Sequence, residues 1–406
     1  MTERVFKGLK VLELGAGAAG PISTRYLSEQ GAHVIRIESA HRPDFLRLMM
    51  AVKTDTMAER MDSALMFALL NTDKQSLTVN MKHEQGADIV RRLVQWADLV
   101  CENFSPKVMP KWGLTYENLK KLKPDLVMAS GCLFGQTGPD RLYPGFGGQG
   151  TALSGFAYVT GWPGRETVGP FGTITDSLSP KYVACAIAAA LFHRRRTGEG
   201  RYIDVSQIET AVYSMSAAIV RQSANNETEE RRGNHDEFAA PHNVYPTTGD
   251  DRWIAIAVQT DTEWTALKKE MGNPEALNNS SYDSLEGRVE AQEHIDKTIG
   301  EWSQAFDRNE LMSKLQAAGV EAGALNNQAD LLEDPALNHR GHFVWLEHKY
   351  LGRAAFERPG FRLSESGGGF DKPGPLLGEH NREILTKILG YTIAEIDRLT
   401  SEELFV

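Results

Sequence analysis

One carboxylate in this chain, that of Asp176, lies where a carboxylate could do chemistry. It stands in the middle of Gly172-Thr-Ile-Thr-Asp-Ser-Leu-Ser-Pro180, ahead of an apolar run at 181–192. Proline is common in the first turn of a helix and serine at its cap, so Pro180 and Ser179 predict that a helix begins just after Asp176. Free backbone N–H groups and the helix dipole stabilise an ionised carboxylate there. Such a carboxylate can act as a nucleophile or simply cap the helix, and the local pattern leaves both functions open.

A glycine-rich turn near the start of the chain is the second candidate for a functional site. The sequence Gly15-Ala-Gly-Ala-Ala-Gly20 stands between a predicted strand at 10–14 and a helix that opens with Pro21, and a second strand at 32–38 ends in Glu38. This spacing is typical of dinucleotide-binding folds. Pro21, however, removes a backbone donor directly after the third glycine, and no later segment offers groups for hydride transfer. The same small residues allow close helix–sheet packing in any Rossmann-like fold, so a nicotinamide or flavin site is the disfavoured interpretation.

The elements that would position these residues alternate along the chain between strands and helices. Further strands are predicted at 77–80, 98–104, 125–130 and 201–206, with helices between most of them. Strands that alternate with helices at this pace indicate a mostly parallel, doubly wound sheet. We therefore predict an α/β fold with a Rossmann-like large domain, in which the strand ends carry the functional residues.

A polar, charged stretch at 225–236 interrupts this alternation and predicts a domain boundary. A smaller α/β domain follows it and begins with a strand at 253–258. The predicted organisation is a large domain at 1–224, a small domain at 225–330, and a C-terminal segment at 331–406 that returns to the large domain.

Composition and charge limit the classes of partner. The 406 residues carry a formal net charge of −10, which argues against nucleic acid or an anionic membrane as a partner but leaves room for a local basic pocket. The apolar runs are too short to cross a bilayer, and the N-terminus lacks the apolar core of a signal peptide. Cys101, Cys132 and Cys185 have neither metal-site nor redox-motif spacing. We therefore predict buried, reduced thiols, no metal site and a cytoplasmic location.

A series of short motifs runs in order along nearly the whole chain. They are Gly8-Leu-Lys-Val-Leu-Glu13, Ala19-Gly-Pro21, Val34-Ile-Arg-Ile-Glu38, Asp44-Phe-Leu-Arg47, Asn71-x-x-Lys74-x-Ser76, Glu102-Asn-Phe104 ahead of Gly113-Leu114, Gly135-Gln-Thr-Gly-Pro139, Asp176 ahead of an alanine-rich helix, and Arg196-Thr-Gly-x-Gly200. Each motif alone is weak, but their combination and order are specific. Together they resemble the class III CoA-transferases, the group of formyl-CoA, carnitine-CoA and benzylsuccinate-CoA transferases.

This resemblance implies roles for individual residues. Asp176 would be the catalytic nucleophile. The residues that would hold CoA are Ala18, Ala19, Arg36, Lys74 and Asn103. Arg36 and Lys74 would contact the nucleotide or its phosphates. CoA thioesters would be substrates, with no permanently bound cofactor, and two chains would form an interlocked dimer in which each threads through the other.

Two departures from the formyl-CoA transferases affect the expected substrate. Where those enzymes carry a run of glycines that covers the active site, this chain has Glu237-Phe-Ala-Ala-Pro-His-Asn-Val-Tyr245, and Gln75 stands in place of an arginine. Formyl and oxalyl chemistry is therefore not expected. Phe238 and His242 would occupy the position of the lid.

The implied reaction exchanges CoA between carboxylates through intermediates on Asp176. The carboxylate would attack the thioester carbonyl to give a mixed anhydride and CoA thiolate, and the thiolate would then form an aspartyl-CoA thioester. The acceptor carboxylate would displace the thiolate again, and a final thiolate attack would release the new thioester. Water would have to be excluded, because it would hydrolyse the anhydride.

The acceptor acid is expected to be aromatic. Phe146, Phe156, Tyr158, Trp162 and Phe171 lie near Asp176 in the sequence and suit a bulky acid, although core packing is the more common role of such residues. The likeness to the benzylsuccinate branch predicts succinyl-CoA as donor and an aromatic dicarboxylate such as benzylsuccinate as acceptor. It also leaves open a homodimer or a complex with a paralogous subunit. A CoA-ester racemase or isomerase of the same superfamily and a dinucleotide-dependent oxidoreductase are the alternatives.

Overall fold

The computed structural model describes residues 3–170 and 173–406, which divide into two compact units. The first comprises the described parts of Met1–Ala157, Gly169–Glu227 and Asn338–Val406, and the second comprises Tyr158–Val168 and Thr228–Leu337. The first unit thus contains both ends of the chain. The division into domains at 1–224, 225–330 and 331–406 stays a prediction, and it did not assign residues 158–168 to the smaller domain.

The strands found in the described residues are β1 (Lys10–Leu14), β2 (His33–Glu38), β3 (Gln75–Thr78), β4 (Leu99–Glu102), β5 (Val127–Cys132), β6 (Tyr202–Ser206), β7 (His242–Pro246), β8 (Trp253–Ala257), β9 (Glu321–Ala324), β10 (Phe343–His348) and β11 (Gly352–Glu357). The helices are α1 (Ala19–Ser28), α2 (Met57–Asp62), α3 (Leu65–Leu70), α4 (Gly86–Trp96), α5 (Val108–Lys111), α6 (Tyr116–Leu122), α7 (Gly147–Leu153), α8 (Phe156–Val159), α9 (Ile174–Thr197), α10 (Gln207–Ser214), α11 (Ser216–Asn225), α12 (Asp261–Glu270), α13 (Leu285–Glu290), α14 (Gln292–Ser303), α15 (Arg308–Ala317), α16 (Gln328–Glu333), α17 (Pro335–His339), α18 (Asn381–Lys387) and α19 (Ile393–Ser401). Short 3₁₀ turns lie at Phe45–Leu48, Glu275–Leu277 and Ser280–Asp283.

The large sheet of the first unit is parallel throughout, with the strand order β3–β2–β1–β4–β5–β6. Helices cover both of its faces, which is why its inner strands are apolar on both sides. The strand order reverses between β1 and β4, and in sheets of this kind ligands bind in the crevice beyond the carboxyl ends of the strands at that point. The predicted α/β, Rossmann-like, doubly wound fold is confirmed.

Strand β1 shows how the sequence builds the two cores of this unit. Leu12 and Leu14 point to one face and pack in a buried cluster with Ile89 and Leu93 of α4. Val11 points to the other face, where its cluster includes residues of α1 and α9. Successive strand residues alternate between faces, so both cores rest on the same five-residue strand.

Helix α9 begins earlier than the sequence predicts. It starts at Ile174 after the N-cap residue Thr173, so Asp176 lies in its first turn and Pro180 lies inside the helix. The predicted position of Asp176 before the helix is therefore wrong. The turn that carries Asp176 is already part of the helix, because the Thr175 hydroxyl anchors it by donating to the carbonyl of Gly147 at 3.1 Å. The predicted end of the helix is confirmed, since Gly198 is the C-cap residue, with a left-handed backbone (φ +75°).

The cysteines differ in exposure. All three are free thiols, and Cys101 and Cys132 are buried, whereas Cys185 on α9 is exposed. The predicted burial of Cys185 is wrong because α9 presents Val183, Ile187 and Ala190 to the core and turns the intervening residues away from it.

The second unit is built on the antiparallel sheet β7–β8–β9. Trp264 and Leu267 of α12 pack with Ile295 and Ile299 of α14 in the core that covers this sheet. This arrangement confirms a smaller α/β unit in addition to the Rossmann-like one. In the described residues, no helix combines the length and hydrophobicity needed to cross a bilayer. Because one chain is described, the interlocked dimer stays a prediction.

Candidate active site

The carboxylate of Asp176 is held against the first residue of α7. A Cβ atom added to Gly147 would lie 2.3 Å from Asp176 Oδ2, so only glycine leaves room for the carboxylate in this position. One turn further along α7, a Cβ atom on Gly150 would lie 2.7 Å from the Thr175 hydroxyl. The glycines of the first turn of α7 thus bring bare backbone to α9 at the point where Asp176 and Thr175 project.

Burial sets the protonation of Asp176. It raises the pKa of this carboxyl to about 6, and the hydrogen bonds from Gln207 and Thr173 lower the pKa by less than burial raises it. Gln207 Nε2 lies 3.4 Å from Asp176 Oδ1. At neutral pH the carboxylate is then mostly ionised but poorly solvated, which makes it a better nucleophile than an exposed aspartate.

At the reversal point of the large sheet, Asn103 joins the loop after β4 to the turn after β1. Its amide nitrogen donates to the carbonyl of Ala16 at 2.8 Å, and its oxygen accepts from the Ala16 N–H at 3.0 Å. Cβ atoms added to Gly15 and Gly20 would lie 2.4 and 2.8 Å from the Asn103 oxygen. The first and third glycines of the fingerprint therefore allow close approach of this side chain.

Ala18 and Ala19 open helix α1 at the same place. Ala18 is the N-cap residue, is partly exposed and makes no side-chain hydrogen bond to the helix. Ala19 is buried. The N–H of Gly17 is already taken, because it donates to both carboxylate oxygens of Asp44 at 3.0 Å. Small residues and the positive end of a ten-residue helix thus meet at the reversal point, an arrangement suited to a phosphate or another polar ligand group.

Arg36 and Lys74 are buried within an ion-pair network beneath this turn. Arg36 Nη1 donates to Glu13 at 2.6 Å, and its Nη2 contacts Asp44. Lys74 Nζ donates to the second oxygen of Glu13 and to the carbonyl of Pro21, both at 2.8 Å. Both cations therefore hold the segment that runs from the end of β1 into α1.

The charges of this network stabilise one another. Burial lowers the pKa of Lys74 to about 8, although the Glu13 charge acts in the opposite direction. Burial alone would raise the pKa of Glu13, but the charges of Lys74 and Arg36 outweigh it and hold that pKa below its usual value. Direct contacts of Arg36 and Lys74 with CoA stay a prediction, because both side chains are fully enclosed in the chain as described.

Replacement of Arg36 by methionine is expected to lower the free energy of unfolding by about 3–5 kcal/mol, because it leaves Glu13 and Asp44 buried with one cation fewer. The measurement is chemical denaturation. The matched control is Arg382→Met, which removes the exposed pair with Asp397 and should change stability by no more than about 1 kcal/mol. An Arg36→Met protein as stable as the wild type but weak in CoA binding would favour a direct contact with CoA instead.

Phe238 and His242, the predicted lid residues, belong to the second unit. The side chain of Phe238 is exposed. His242 is the first residue of β7, and its Nδ1 contacts the carbonyl of Asn234. A carbonyl only accepts, so Nδ1 carries the proton and leaves Nε2 as the second polar atom of the ring. His242 and Asn234 line a cavity of about 320 Å³ on the sheet of this unit. The lid function stays a prediction.

Three of the aromatic residues near Asp176 in the sequence are exposed: Phe146 (68%), Tyr158 (46%) and Trp162 (50%). Core packing within this chain does not account for them. Phe156 is half-buried, and Phe171 lies outside the described residues. Phe146 directly precedes Gly147, and its ring packs edge-on against Phe45 with the centroids 5.6 Å apart.

Sequence reasoning missed the residues that contact Asp176. Gly147 belongs to the glycine-rich segment Gly145-Phe-Gly-Gly-Gln-Gly150, whose composition by itself indicates only a loop, and Thr175 and Gln207 give no signal of their own. Gln207 directly follows β6, and in an open α/β sheet the residue after a strand is a good candidate for a site. That position was the available clue. In the described residues, no group of three or more His, Cys, Asp and Glu side chains is arranged to hold a metal ion.

Comparison with known proteins shows that the relatives of this chain are enzymes. The sequence profile of CoA-transferase family III matches residues 6–381. The succinyl-CoA–D-citramalate CoA-transferase of Chloroflexus aurantiacus is 33% identical over 98% of this chain and 98% of its own. The beta subunit of the succinyl-CoA–L-malate CoA-transferase of the same organism is 32% identical over 97% and 96%. The human succinyl-CoA:glutarate CoA-transferase is 27% identical over 97% and 88%.

Solved structures show the same fold. A CaiB/BaiF family protein from Brucella suis superposes with a TM-score of 0.86 and 29% identity, covering 95% of this chain and all of its own. The Rv3272 protein of Mycobacterium tuberculosis superposes with a TM-score of 0.78 and 23% identity, covering 94% and 99%. The second likeness concerns the fold alone.

Proposed function

The chain belongs to CoA-transferase family III, and from this premise we propose that it moves CoA from succinyl-CoA to a dicarboxylic acid, with Asp176 as the nucleophile. The observation that carries the proposal is the half-buried Asp176 carboxylate, which lies against bare backbone at Gly147. A poorly solvated carboxylate can reach a thioester carbonyl where the neighbouring residue, a glycine, has no side chain in the way. A capping aspartate would need neither feature.

In the proposed reaction, Asp176 attacks the thioester carbonyl and the carbon–sulfur bond breaks. The products are a mixed anhydride and CoA thiolate. The thiolate attacks the aspartyl carbonyl, releases succinate and leaves an aspartyl-CoA thioester. The acceptor carboxylate displaces the thiolate again, and the thiolate takes the acceptor's acyl group. Each step exchanges groups of similar energy, so the transfer needs no ATP.

We propose that CoA binds beyond the carboxyl ends of β1 and β4. Ala18 and Ala19 would lie against it at the start of α1, and Asn103 would hold the turn that positions them. Arg36 and Lys74 would then support CoA binding indirectly, because their contacts with Glu13 and Pro21 hold the turn in place. CoA esters are substrates of this family, and the proposal includes no permanently bound cofactor.

The acceptor is proposed to carry two carboxylates. The names of the three relatives quoted above include D-citramalate, L-malate and glutarate, all dicarboxylates, and the benzylsuccinate expected from the sequence is also one. The exposed ring of Phe146, next to Gly147, offers an apolar surface to an aryl or alkyl substituent. Succinates and glutarates with or without such a substituent are therefore the substrate class.

A panel of acids with succinyl-CoA tests this proposal. We expect new thioesters of glutarate, malate, citramalate or benzylsuccinate, detected by mass spectrometry. Butyrate and 4-phenylbutyrate, which lack one carboxylate, should react at least about 100-fold more slowly, because they leave a polar part of the site unpaired. Turnover of the monocarboxylates alone would contradict the dicarboxylate proposal. Solvent deuterium entering an acyl-CoA without CoA exchange would favour a racemase or isomerase.

The quaternary arrangement is part of the proposal. The family resemblance suggests an interlocked homodimer, and the L-malate relatives are described as alpha and beta subunits. We propose that this chain forms such a dimer with itself. If the panel is inactive with this chain alone and active with a paralogue added, the heteromeric form replaces it. The proposed location is cytoplasmic, which suits three free cysteines.

A further inference from the structure

Gln207 contacts the nucleophile from a rigid position. It is the first residue of α10, directly after β6, and its side chain is buried. Ser206 caps the helix by accepting from the Glu209 N–H at 3.3 Å and donates to the Leu133 carbonyl at 3.1 Å. The hydroxyl of Thr210 donates to the carbonyl of Gln207 at 2.8 Å. The backbone that carries the amide is therefore fixed from both sides.

The two oxygens of Asp176 have different surroundings. Oδ1 lies 3.4 Å from Gln207 Nε2, and Oδ2 lies over Gly147. A carboxylate only accepts hydrogen bonds, so the NH₂ group of Gln207 faces it. A separation of 3.4 Å is long for a hydrogen bond to a resting carboxylate, but it leaves the donor aimed at charge that develops later on Oδ1.

Resting on the proposed function, we propose that Oδ2 is the attacking oxygen and that Gln207 is a catalytic donor, stabilising the oxyanion that forms on Oδ1. After Oδ2 has attacked, Oδ1 is the carbonyl oxygen of the aspartyl group. It becomes negatively charged each time a thiolate or a carboxylate adds to Cγ. A fixed donor at that oxygen lowers the energy of each addition.

With Oδ2 as the attacking oxygen, only one of the two Asp176 oxygens is exchanged in each turnover. When the thiolate attacks Cγ of the anhydride, the bond from Cγ to Oδ2 breaks, and Oδ2 leaves as an oxygen of succinate. The acceptor carboxylate then adds one of its own oxygens to Cγ and expels the thiolate. The final attack on the acceptor's carbonyl carbon leaves that oxygen on Asp176. Each turnover thus replaces Oδ2 and keeps Oδ1.

Isotope labelling tests the assignment directly. With an acceptor labelled by ¹⁸O in its carboxylates, the peptide that contains Asp176 should gain one ¹⁸O and keep one ¹⁶O, even after many turnovers. Gln207→Leu should lose kcat by about 10²–10³-fold, as when an oxyanion donor is removed. In this variant the Asp176 carboxylate keeps only the hydrogen bond from Thr173, so it should rotate between turnovers and accumulate two ¹⁸O atoms. Two ¹⁸O atoms in the wild type would overturn the assignment.

A pH profile separates a donor from a merely structural residue. Burial, Gln207 and Thr173 account for the pKa of Asp176, and no charged side chain of the described residues contributes to it. Loss of the amide should therefore move the acidic limb of kcat/KM to higher pH in Gln207→Leu. The exposed control Gln222→Leu on α11 should leave both kcat and the profile unchanged.

The outcomes distinguish this inference from the proposed function. If the wild type forms no covalent adduct at Asp176 with succinyl-CoA, the proposed function fails. If the adduct forms but Gln207→Leu turns over like the wild type, only the role of Gln207 is overturned. A folded Gln207→Leu protein with slow adduct turnover supports both.

Discussion

Asp176→Asn is expected to abolish CoA transfer, with kcat reduced by about 10⁴-fold or more, while the protein stays folded and binds CoA. The amide cannot attack a thioester, and removal of a nucleophile costs most of the catalytic rate. Asparagine caps a helix about as well as aspartate, so a structural role alone would leave turnover nearly normal. The measurement is thioester exchange, with intact mass to show that the variant has not deamidated.

The covalent intermediate gives this prediction a second readout. Succinyl-CoA without an acceptor should leave CoA on the wild-type peptide that contains Asp176, and hydroxylamine or borohydride should trap it. Asp176→Asn should show no adduct. Asp397→Asn, an exposed aspartate on α19, should behave as the wild type in both assays. Near-normal turnover of undeamidated Asp176→Asn would end the proposed mechanism.

The same substitution should stabilise the fold. The pKa of Asp176 is raised from 3.8 to about 6, so the folded chain binds more protons than the unfolded one between these values. Stability from this group is therefore present at low pH and is lost as the pH rises to about 6. Asp176→Asn removes that penalty and should gain about 1–3 kcal/mol above pH 6 but little near pH 4.

Residue types and their order were enough to predict the fold and to single out Asp176 as a candidate, but not to predict the surroundings of its carboxylate. The alternation of strands and helices predicted the parallel sheet, and Gly198 marked the end of α9. Pro180 misplaced its start, because a local helix signal is weaker than the packing of Thr175 on Gly147. Contacts between residues 147, 176 and 207 depend on how distant segments pack, and no local pattern encodes them.

The cations illustrate the same limit. Arg36 and Lys74 carry charge beside a small-residue turn, and the family resemblance predicts that they contact CoA. The sequence cannot show that Glu13, on the neighbouring strand, lies within 2.6 and 2.8 Å of the two cations. Burial with a counterion and exposure to a ligand produce the same residue types at the same spacing.

Gly147→Ala is expected to lower kcat/KM by about 100-fold without unfolding the protein. The new methyl group would occupy a position 2.3 Å from Asp176 Oδ2 and 2.8 Å from Thr173 Cβ, so the whole Asp176 side chain would have to move away from it. A displacement of about 1 Å can cost about 100-fold in rate, because the reacting atoms no longer meet in line. The assay is thioester exchange under the conditions used for Asp176→Asn.

The adjacent residue supplies the matched control. Gly148 lies on the same turn of α7, and a Cβ atom added there would meet no other atom within 4 Å. Gly148→Ala should therefore keep full activity and stabilise the helix by about 0.5–1 kcal/mol, since alanine is the better helix former. Equal activity of the two variants would mean that Asp176 does not react from its position over Gly147. A loss of activity confined to Gly147→Ala would instead mean that Asp176 attacks the thioester carbonyl from its position against Gly147.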